Sequence, residues 1–306
     1  MEGPKLSSVL ITGGDHFIGW HLISKILEIE PDCKISVLDI PSSLPRFPGV
    51  TYYDIDPSIP RNGLYELDMI RPRVIFHAAC TYSLALPAST FWKVNYIGTQ
   101  NILRAAKAVG TVKAFIYHCS SSVIEDGISN VLNGTEDFPV LFAPEQKYPY
   151  PLSKAHAEKA VLDANDRGGM LTVSMRPAGT YGEADFEMME SLIGNARRGR
   201  ANVQMGDGKN VYDWTYVGNY VHAHMLAAKA LLRDSDRYTK KESIEPSMRV
   251  DGEIFHITND DPWLFWKFTR EVAKQAGFEV REDQVKVIPR WVGMLIAFIA
   301  EWWIWS

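Results

Sequence analysis

Tyr150 and Lys154 stand four residues apart in Tyr150-Pro151-Leu152-Ser153-Lys154. On a helix that spacing puts both side chains on one face. An ammonium close to a phenol favours the phenolate and lowers the tyrosine pKa from about 10, which makes Tyr150 a usable general acid and base. Upstream, Phe115-Ile116-Tyr117-His118-Cys119-Ser120-Ser121-Ser122-Val123 carries an apolar run into three hydroxyls. A serine at the end of such a strand can hydrogen-bond the carbonyl or alcohol oxygen that Tyr150 serves. The alternative for the same run is a loop with capping hydroxyls.

A second cluster lies near the amino terminus, in Thr12-Gly13-Gly14-Asp15-His16-Phe17-Ile18-Gly19, between an apolar run and a helical pattern. Glycines at a strand-to-helix turn let the backbone come close to a pyrophosphate, which the helix stabilises through its free N–H groups and its dipole. Asp39 ends the next apolar run, 20 residues beyond Gly19. A carboxylate there accepts hydrogen bonds from a ribose diol and repels a 2′-phosphate, which favours NAD over NADP. A glycine turn beside a surface aspartate is the structural alternative.

The elements that must position these groups follow from periodicity. Ser8–Thr12, Lys34–Asp39, Arg73–His77, Val112–His118 and Leu171–Arg176 read as strands, and their continuous apolar character suits strands buried on both faces of a parallel sheet. Phe17–Glu30, Asn101–Val109 and Ser153–Asn165 read as helices between them. Alternating β and α predicts an α/β fold, a Rossmann-like doubly wound parallel sheet with ligands at the carboxyl ends of its strands. The expected division is a dinucleotide-binding domain over 1–182, holding the Ser, Tyr and Lys, and a mostly substrate-binding region over 183–306. In that second part Asp185–Arg198, Gly218–Leu232 and Pro262–Ala276 read as helices, Glu253–Thr258 as a strand and Leu232–Met248 as a charged loop.

The chain ends in Trp291–Trp305, with one charge at Glu301. At about 1.5 Å per residue a helix there spans roughly 22 Å, short of the roughly 30 Å hydrocarbon core. Two readings stand side by side for 291–305: a core helix, or an interfacial helix in peripheral contact with a membrane.

Composition narrows the function class. Of 306 residues, 32 are Lys or Arg against 37 Asp or Glu, a net charge of −5, with 46% hydrophobic and 23% charged residues. That is a globular composition with no basic excess for tracking phosphates, so nucleic acid is not expected as a partner. Three cysteines without metal-ligand spacing point to neither a disulfide framework nor a metal site. The apolar run after MEGPKLSS is too short for a signal-peptide core, so a cytoplasmic location is expected.

Thr12, Gly13 and Gly19 match the TGxxGxxG turn of the extended short-chain dehydrogenase/reductases, and Tyr150 with Lys154 matches that family's YxxxK pair. His16 stands where the family pattern has its middle glycine. A side chain there weakens or repositions a dinucleotide unless the imidazole turns outward or bonds a phosphate oxygen.

Other segments resemble the same family in the same order. The resemblance gives Ser120 the catalytic place, with Ser121 and Ser122 behind it, and gives Lys154 a bond to the nicotinamide ribose. Val94-Asn95-Tyr96-Ile97-Gly98-Thr99 resembles the helix whose asparagine supports the active-site strand. His77-Ala78-Ala79-Cys80 resembles the small-residue turn beneath the dinucleotide, Asp54-Ile55 the pair flanking adenine, and Arg176-Pro177-Ala178-Gly179-Thr180-Tyr181-Gly182 the turn over the nicotinamide. The cofactor set it implies is Gly13, Gly14, His16, Phe17, Ile18, Gly19, Asp39, Asp54, Ile55, Ala78, Ala79, Cys80, Tyr150, Lys154, Pro177, Ala178 and Thr180, binding NAD.

The segments 211–224 and 255–262 are similar to the 3β-hydroxysteroid dehydrogenase branch, in the manner of fungal-type sterol-4α-carboxylate 3-dehydrogenases. The resemblance implies oxidation of a 3β-hydroxyl on a hydrophobic polycyclic sterol or terpenoid, with loss of CO₂ where a carboxylate sits on the adjacent carbon. It also implies a homodimer and a peripheral place at the endoplasmic reticulum membrane. A second class of function keeps the fold and uses Tyr150 and Ser120 for proton transfer alone, as an isomerase, cyclase or lyase; His16 favours it. His222 and His224, at i and i+2, fall on different helix faces and are expected to be structural.

Overall fold

The structure is a computed structural model, and it describes residues 3–59, 64–81, 83 and 86–305. In chain order the strands are β1 Ser8–Thr12, β2 Lys34–Asp39, β3 Thr51–Asp54, β4 Val74–His77, β5 Ala114–His118, β6 Leu171–Pro177, β7 Gly179–Tyr181, β8 Val203–Met205, β9 Val211–Tyr212, β10 Trp214–Tyr216, β11 Ile254–Ile257, β12 Trp263–Leu264 and β13 Lys286–Ile288. The helices are α1 Phe17–Ile29, α2 Leu64–Ile70, α3 Ala88–Phe91, α4 Thr99–Val109, α5 Pro149–Asp163, α6 Met188–Arg197, α7 Val217–Thr239, α8 Phe265–Gln275 and α9 Arg290–Trp305. A π-helical stretch, Trp92–Gly98, joins α3 to α4.

The chain divides into two units, one running to Ala178 and resuming over Val217–Ile257, the other formed by Gly179–Tyr216 and the residues from Thr258 on. In the first, seven parallel strands lie in the order β11-β6-β5-β4-β1-β2-β3. This is the doubly wound, Rossmann-like sheet expected from the alternation of runs, with its switch point between β1 and β4. Side chains alternate across the pleat. Leu10, Ile75, Phe115 and Tyr117 enter the core cluster shared with α4 and α5, while Phe76 and His118 meet His224 and Tyr220 of α7 on the other face.

The second unit holds three short strand pairs, β7 with β10, β9 with β12 and β8 with β13, together with α6, α8 and α9. Its aromatic centre is Trp214, stacked on Phe268 at 3.9 Å between ring centroids and on Phe265 at 5.6 Å.

Several elements of the first unit differ from the sequence reading, among them β3, α5, α7 and β11. Strand β3 was not foreseen, because Thr51–Asp54 is short and half exposed at the sheet edge. Helix α5 begins at Pro149, four residues before the expected start, since Pro149 occupies the first turn where its missing N–H costs nothing. Helix α7 runs to Thr239, so residues 233–239 are not part of the charged loop expected from Leu232 on; Asp234 and Ser235 are buried and the remaining charges form its solvated face. The strand read at Glu253–Thr258 is β11, the edge strand of the main sheet, paired to β6.

No helix among the described residues is long and apolar enough to cross a membrane. On α9, Trp291, Met294, Leu295, Phe298 and Ile299 are exposed. The side chains at 296, 297 and 300–305 lie outside the described residues, and with them Trp302, Trp303 and Trp305 of the apolar tail.

Candidate active site

Lys154 is buried without any exposed surface. Its ammonium donates to the His118 carbonyl oxygen at the end of β5 and lies 4.9 Å from the centroid of the Tyr117 ring. Tyr150, half buried in the first turn of α5, meets Phe91 edge-on at 6.2 Å. Ser120 follows β5 and heads a short turn over Ser121–Ile124 that packs against α5. Its Oγ accepts the Ser122 N–H at 3.2 Å and lies 2.9 Å from Ser122 Oγ. The serine run therefore does cap a turn, and the capping residue is the one expected to be catalytic. A carbonyl-anchored ammonium, a phenol one turn earlier on the same helix and a serine hydroxyl at the strand end form a set suited to moving a proton to or from an oxygen.

Behind these groups the polar interior is neutral and directional. Thr99 Oγ1 donates to the Asn95 carbonyl at 2.6 Å, so it accepts from His77 Nε2–H at 2.8 Å. His77 Nδ1 then accepts from Thr12 Oγ1 at 2.6 Å, and Thr12 Oγ1 accepts the Ala79 N–H at 3.4 Å. This chain ties the end of β1 to β4 and to the start of α4. Burial, reinforced by the Lys154 charge, pushes His77 down to about 3. Burial also pushes His224 down to about 4, and holds His118 well below its usual range with Lys154 adding to the effect. Tyr220 Oη donates to the Met175 carbonyl at 3.1 Å and accepts from His118 Nδ1–H at 2.7 Å. His224 is buried and His222 exposed, on different faces of α7 as their spacing requires.

Asn95 differs from its expected role. It brackets Thr81, accepting the Thr81 N–H at 2.9 Å and donating to the Thr81 carbonyl at 3.0 Å, and it donates to Ser153 Oγ at 3.0 Å. From the π-helical stretch its side chain braces the loop after β4 and helix α5, where the expected partner was the active-site strand.

The glycine turn is closely packed. At Gly13, with φ of +76°, a Cβ would lie 2.5 Å from the Ala79 nitrogen; at Gly14 it would meet Val37 Cγ1 at 2.7 Å; at Gly19 it would collide with the Gly13 carbonyl. The turn thus draws Gly13, Ala78 and Ala79 together at the ends of β1 and β4. Helix α1 starts with no side-chain cap and no acidic residue in its first turn. An uncapped N-terminus behind glycines that leave no room for a Cβ fits a pyrophosphate, so the residues present suit a dinucleotide. Phe17 and Ile18 open the helix, Ile18 buried and Phe17 edge-on to His21.

The side expected to receive adenosine is more crowded. Asp39 Oδ2 accepts His16 Nδ1–H at 2.9 Å and the Asp15 N–H at 3.0 Å. Arg46, from the loop after β2, bonds Asp15 Oδ2 at 2.6 Å, reaches Asp54, and lies 4.5 Å over the Tyr52 ring; both carboxylates hold its guanidinium charged. Ile55 follows β3 and packs on the core, its N–H on the Asp39 carbonyl at 3.0 Å. Arg46 was not singled out in the sequence, where a lone arginine between prolines carries no signal. Nor was the buried pair of Glu158 and Arg176, which joins α5 to β6 just before Pro177 and Ala178. Cys80 is half buried at the end of the β4 turn. Thr180 lies in β7, opposite Thr215 in the second unit.

Residues 10–289 match the sequence profile of the 3-beta hydroxysteroid dehydrogenase/isomerase family. The chain is 34% identical over 305 residues to the decarboxylating sterol-4-alpha-carboxylate 3-dehydrogenase of Candida albicans, covering 97% of this chain and 82% of that protein. It is also 34% identical over 283 residues to the enzyme of the same name from Homo sapiens, covering 92% and 69%. Among solved structures it resembles Thermus thermophilus UDP-glucose 4-epimerase in complex with NAD, with a TM-score of 0.71, 22% identity and coverage of 92% and 86%. The dTDP-glucose 4,6-dehydratase of Bacillus anthracis, in complex with NAD, gives a TM-score of 0.71 at 19% identity, covering 92% and 84%. These two are similar in fold.

Proposed function

The chain belongs to the 3-beta hydroxysteroid dehydrogenase/isomerase family, and on that footing we propose that it is an NAD-dependent oxidoreductase converting a 3β-hydroxyl to a ketone on a sterol-like or terpenoid polycyclic substrate. Where a carboxylate sits on the neighbouring carbon, the product is a β-keto acid, which loses CO₂. The observation that carries the reading is the packing of α5, with Tyr150 and the fully buried Lys154, against the turn headed by Ser120. The names of the Candida and human relatives support the substrate class.

In this reading NAD, when bound, accepts the hydride of the carbinol carbon. Tyr150 takes the hydroxyl proton and Ser120 Oγ holds the same oxygen as it becomes a carbonyl. Lys154, anchored at the His118 carbonyl, supplies positive charge beside the phenol and bonds the nicotinamide ribose. Gly13, Gly14 and Gly19 with the N–H groups of Phe17 and Ile18 hold the pyrophosphate. Ala78, Ala79 and Cys80 border the dinucleotide from the β4 turn, and Pro177 and Ala178 from the end of β6. Asp39 receives the adenosine ribose, while Asp54 and Ile55 flank the adenine.

Peripheral contact with the endoplasmic reticulum membrane through 291–305 belongs to the same reading, supported by the exposed Trp291, Met294, Leu295, Phe298 and Ile299. A homodimer rests on the family resemblance alone.

The test is a titration of the protein with NAD⁺, NADH and NADP⁺, followed by incubation with 4α-carboxylated 3β-hydroxysterols. Binding of NAD⁺ in preference to NADP⁺, with NADH and a decarboxylated ketone formed, is the expected result. Binding of no nicotinamide nucleotide would refute it and leave proton-transfer chemistry, as in an isomerase, cyclase or lyase, as the better account.

A further inference from the structure

Asp39, the last residue of β2, is buried, and its carboxylate is already satisfied from within the chain. Oδ2 accepts the Asp15 N–H at 3.0 Å and His16 Nδ1–H at 2.9 Å, and Oδ1 accepts the Ile40 N–H at 2.8 Å. A carboxylate offers about four acceptor positions, so these three bonds leave one on Oδ1. A ribose diol bound through both hydroxyls needs two. Of the three donors, two are backbone groups of the turns themselves and cannot leave without unfolding them. The third is the imidazole of His16, a side-chain donor that is 55% exposed.

The neighbouring carboxylates also meet a donor from within the chain. The Arg46 guanidinium spans Asp15 and Asp54, and Asp54 is one of the pair expected to flank adenine. His16 itself has an ordinary extended backbone at φ −115° and ψ 172°, so the side chain is not forced toward Asp39 by strain. The carboxylate draws it there, and the imidazole comes to rest on the acceptor that a ribose would use.

We propose that His16 is a resident occupant of the adenosine-ribose site, its Nδ1–H taking the place of a ribose hydroxyl on Asp39, so that a dinucleotide binds fully only when the imidazole leaves. The inference rests on the NAD reading above. It makes His16 a residue that weakens adenosine recognition, where a glycine would leave Asp39 open. Because the imidazole bonds Asp39, the residue read as receiving the adenosine ribose, its effect is expected on ligands that carry that ribose.

The experiment is calorimetric titration of the wild type, His16→Gly and His16→Ala with ADP-ribose, NAD⁺ and nicotinamide mononucleotide. Alanine keeps the backbone restricted and serves if the glycine variant folds poorly. ADP-ribose and NAD⁺ are expected to bind at least tenfold more tightly to both variants, with nicotinamide mononucleotide unchanged. Asp39→Asn is expected to cost more affinity for ADP-ribose in the His16→Gly background than in the wild type, because only there is the diol's acceptor open. Equal or weaker ADP-ribose binding in both variants overturns the inference and leaves the NAD reading standing. Binding of no nucleotide by any of the proteins overturns both.

Discussion

Glu158 and Arg176 form a fully buried ion pair between α5 and β6. Arg176 Nε donates to Glu158 Oε2 at 2.9 Å, its Nη2 to Oε1, and Ser174 Oγ donates to Oε2 at 2.6 Å. Glu158 sits one helical turn beyond Lys154, so the pair holds the helix that carries Tyr150 and Lys154 against the strand leading to Pro177.

Removing one partner leaves a charge in the interior without compensation. Glu158→Ala is expected to lower stability by about 3–5 kcal/mol, whereas replacing both residues by apolar side chains of similar volume should cost far less. Urea denaturation of the two variants measures this directly, and equal losses would show that the pair is not the source.

Tyr150→Phe keeps the ring contact with Phe91 and removes only the hydroxyl. Turnover of a 3β-hydroxysterol should fall about 10²–10⁴-fold with NAD binding retained. Unchanged turnover would exclude Tyr150 as the proton acceptor.

Three buried histidines set a pH dependence. His77, His118 and His224 have folded-state values depressed below the ordinary range, while in the unfolded chain each titrates near 6.5. As pH falls through 6.5 the unfolded state therefore takes up protons that the folded state refuses, so stability is full above that pH and declines below it. For His77 and His224 the loss between pH 7 and pH 5 is about 2 kcal/mol each, and His118 adds a loss of the same sign. Denaturation midpoints at the two pH values test it; a midpoint that does not move would mean that these imidazoles are not held neutral.

Gly13→Ala combines a positive φ with a Cβ against the Ala79 backbone, and neither can relax cheaply. A loss of at least about 2 kcal/mol is expected. At Gly14→Ala the nearest atoms belong to the Val37 side chain, and the cost should be smaller. Comparing their melting temperatures separates the two, and the reverse order would contradict this packing.

Much of the framework was legible in the chain itself. Apolar runs at Ser8–Thr12 and Lys34–Asp39 became β1 and β2 with those bounds, and the glycine turn, Asp39 at a strand end and the Tyr150–Lys154 spacing are all relations within a few residues or a fixed period. Such features follow from the helix and strand repeat and from local steric limits, which any stretch of sequence carries with it. Edge strand β3 and the last two turns of α7 escaped because they have too little apolar contrast for a period to be read.

The partners of the functional groups were decided by the tertiary structure. Lys154 meets a carbonyl 36 residues away, His16 meets Asp39 across 23 residues, and Asn95 reaches Ser153 across 58. Arg46 reaches Asp15 and Asp54 only because the loop after β2 folds back over them. Periodicity places a side chain on a face of its own element. Which distant donor arrives at that face depends on how strands and helices stack, and that is settled by burying apolar surface over the whole sheet.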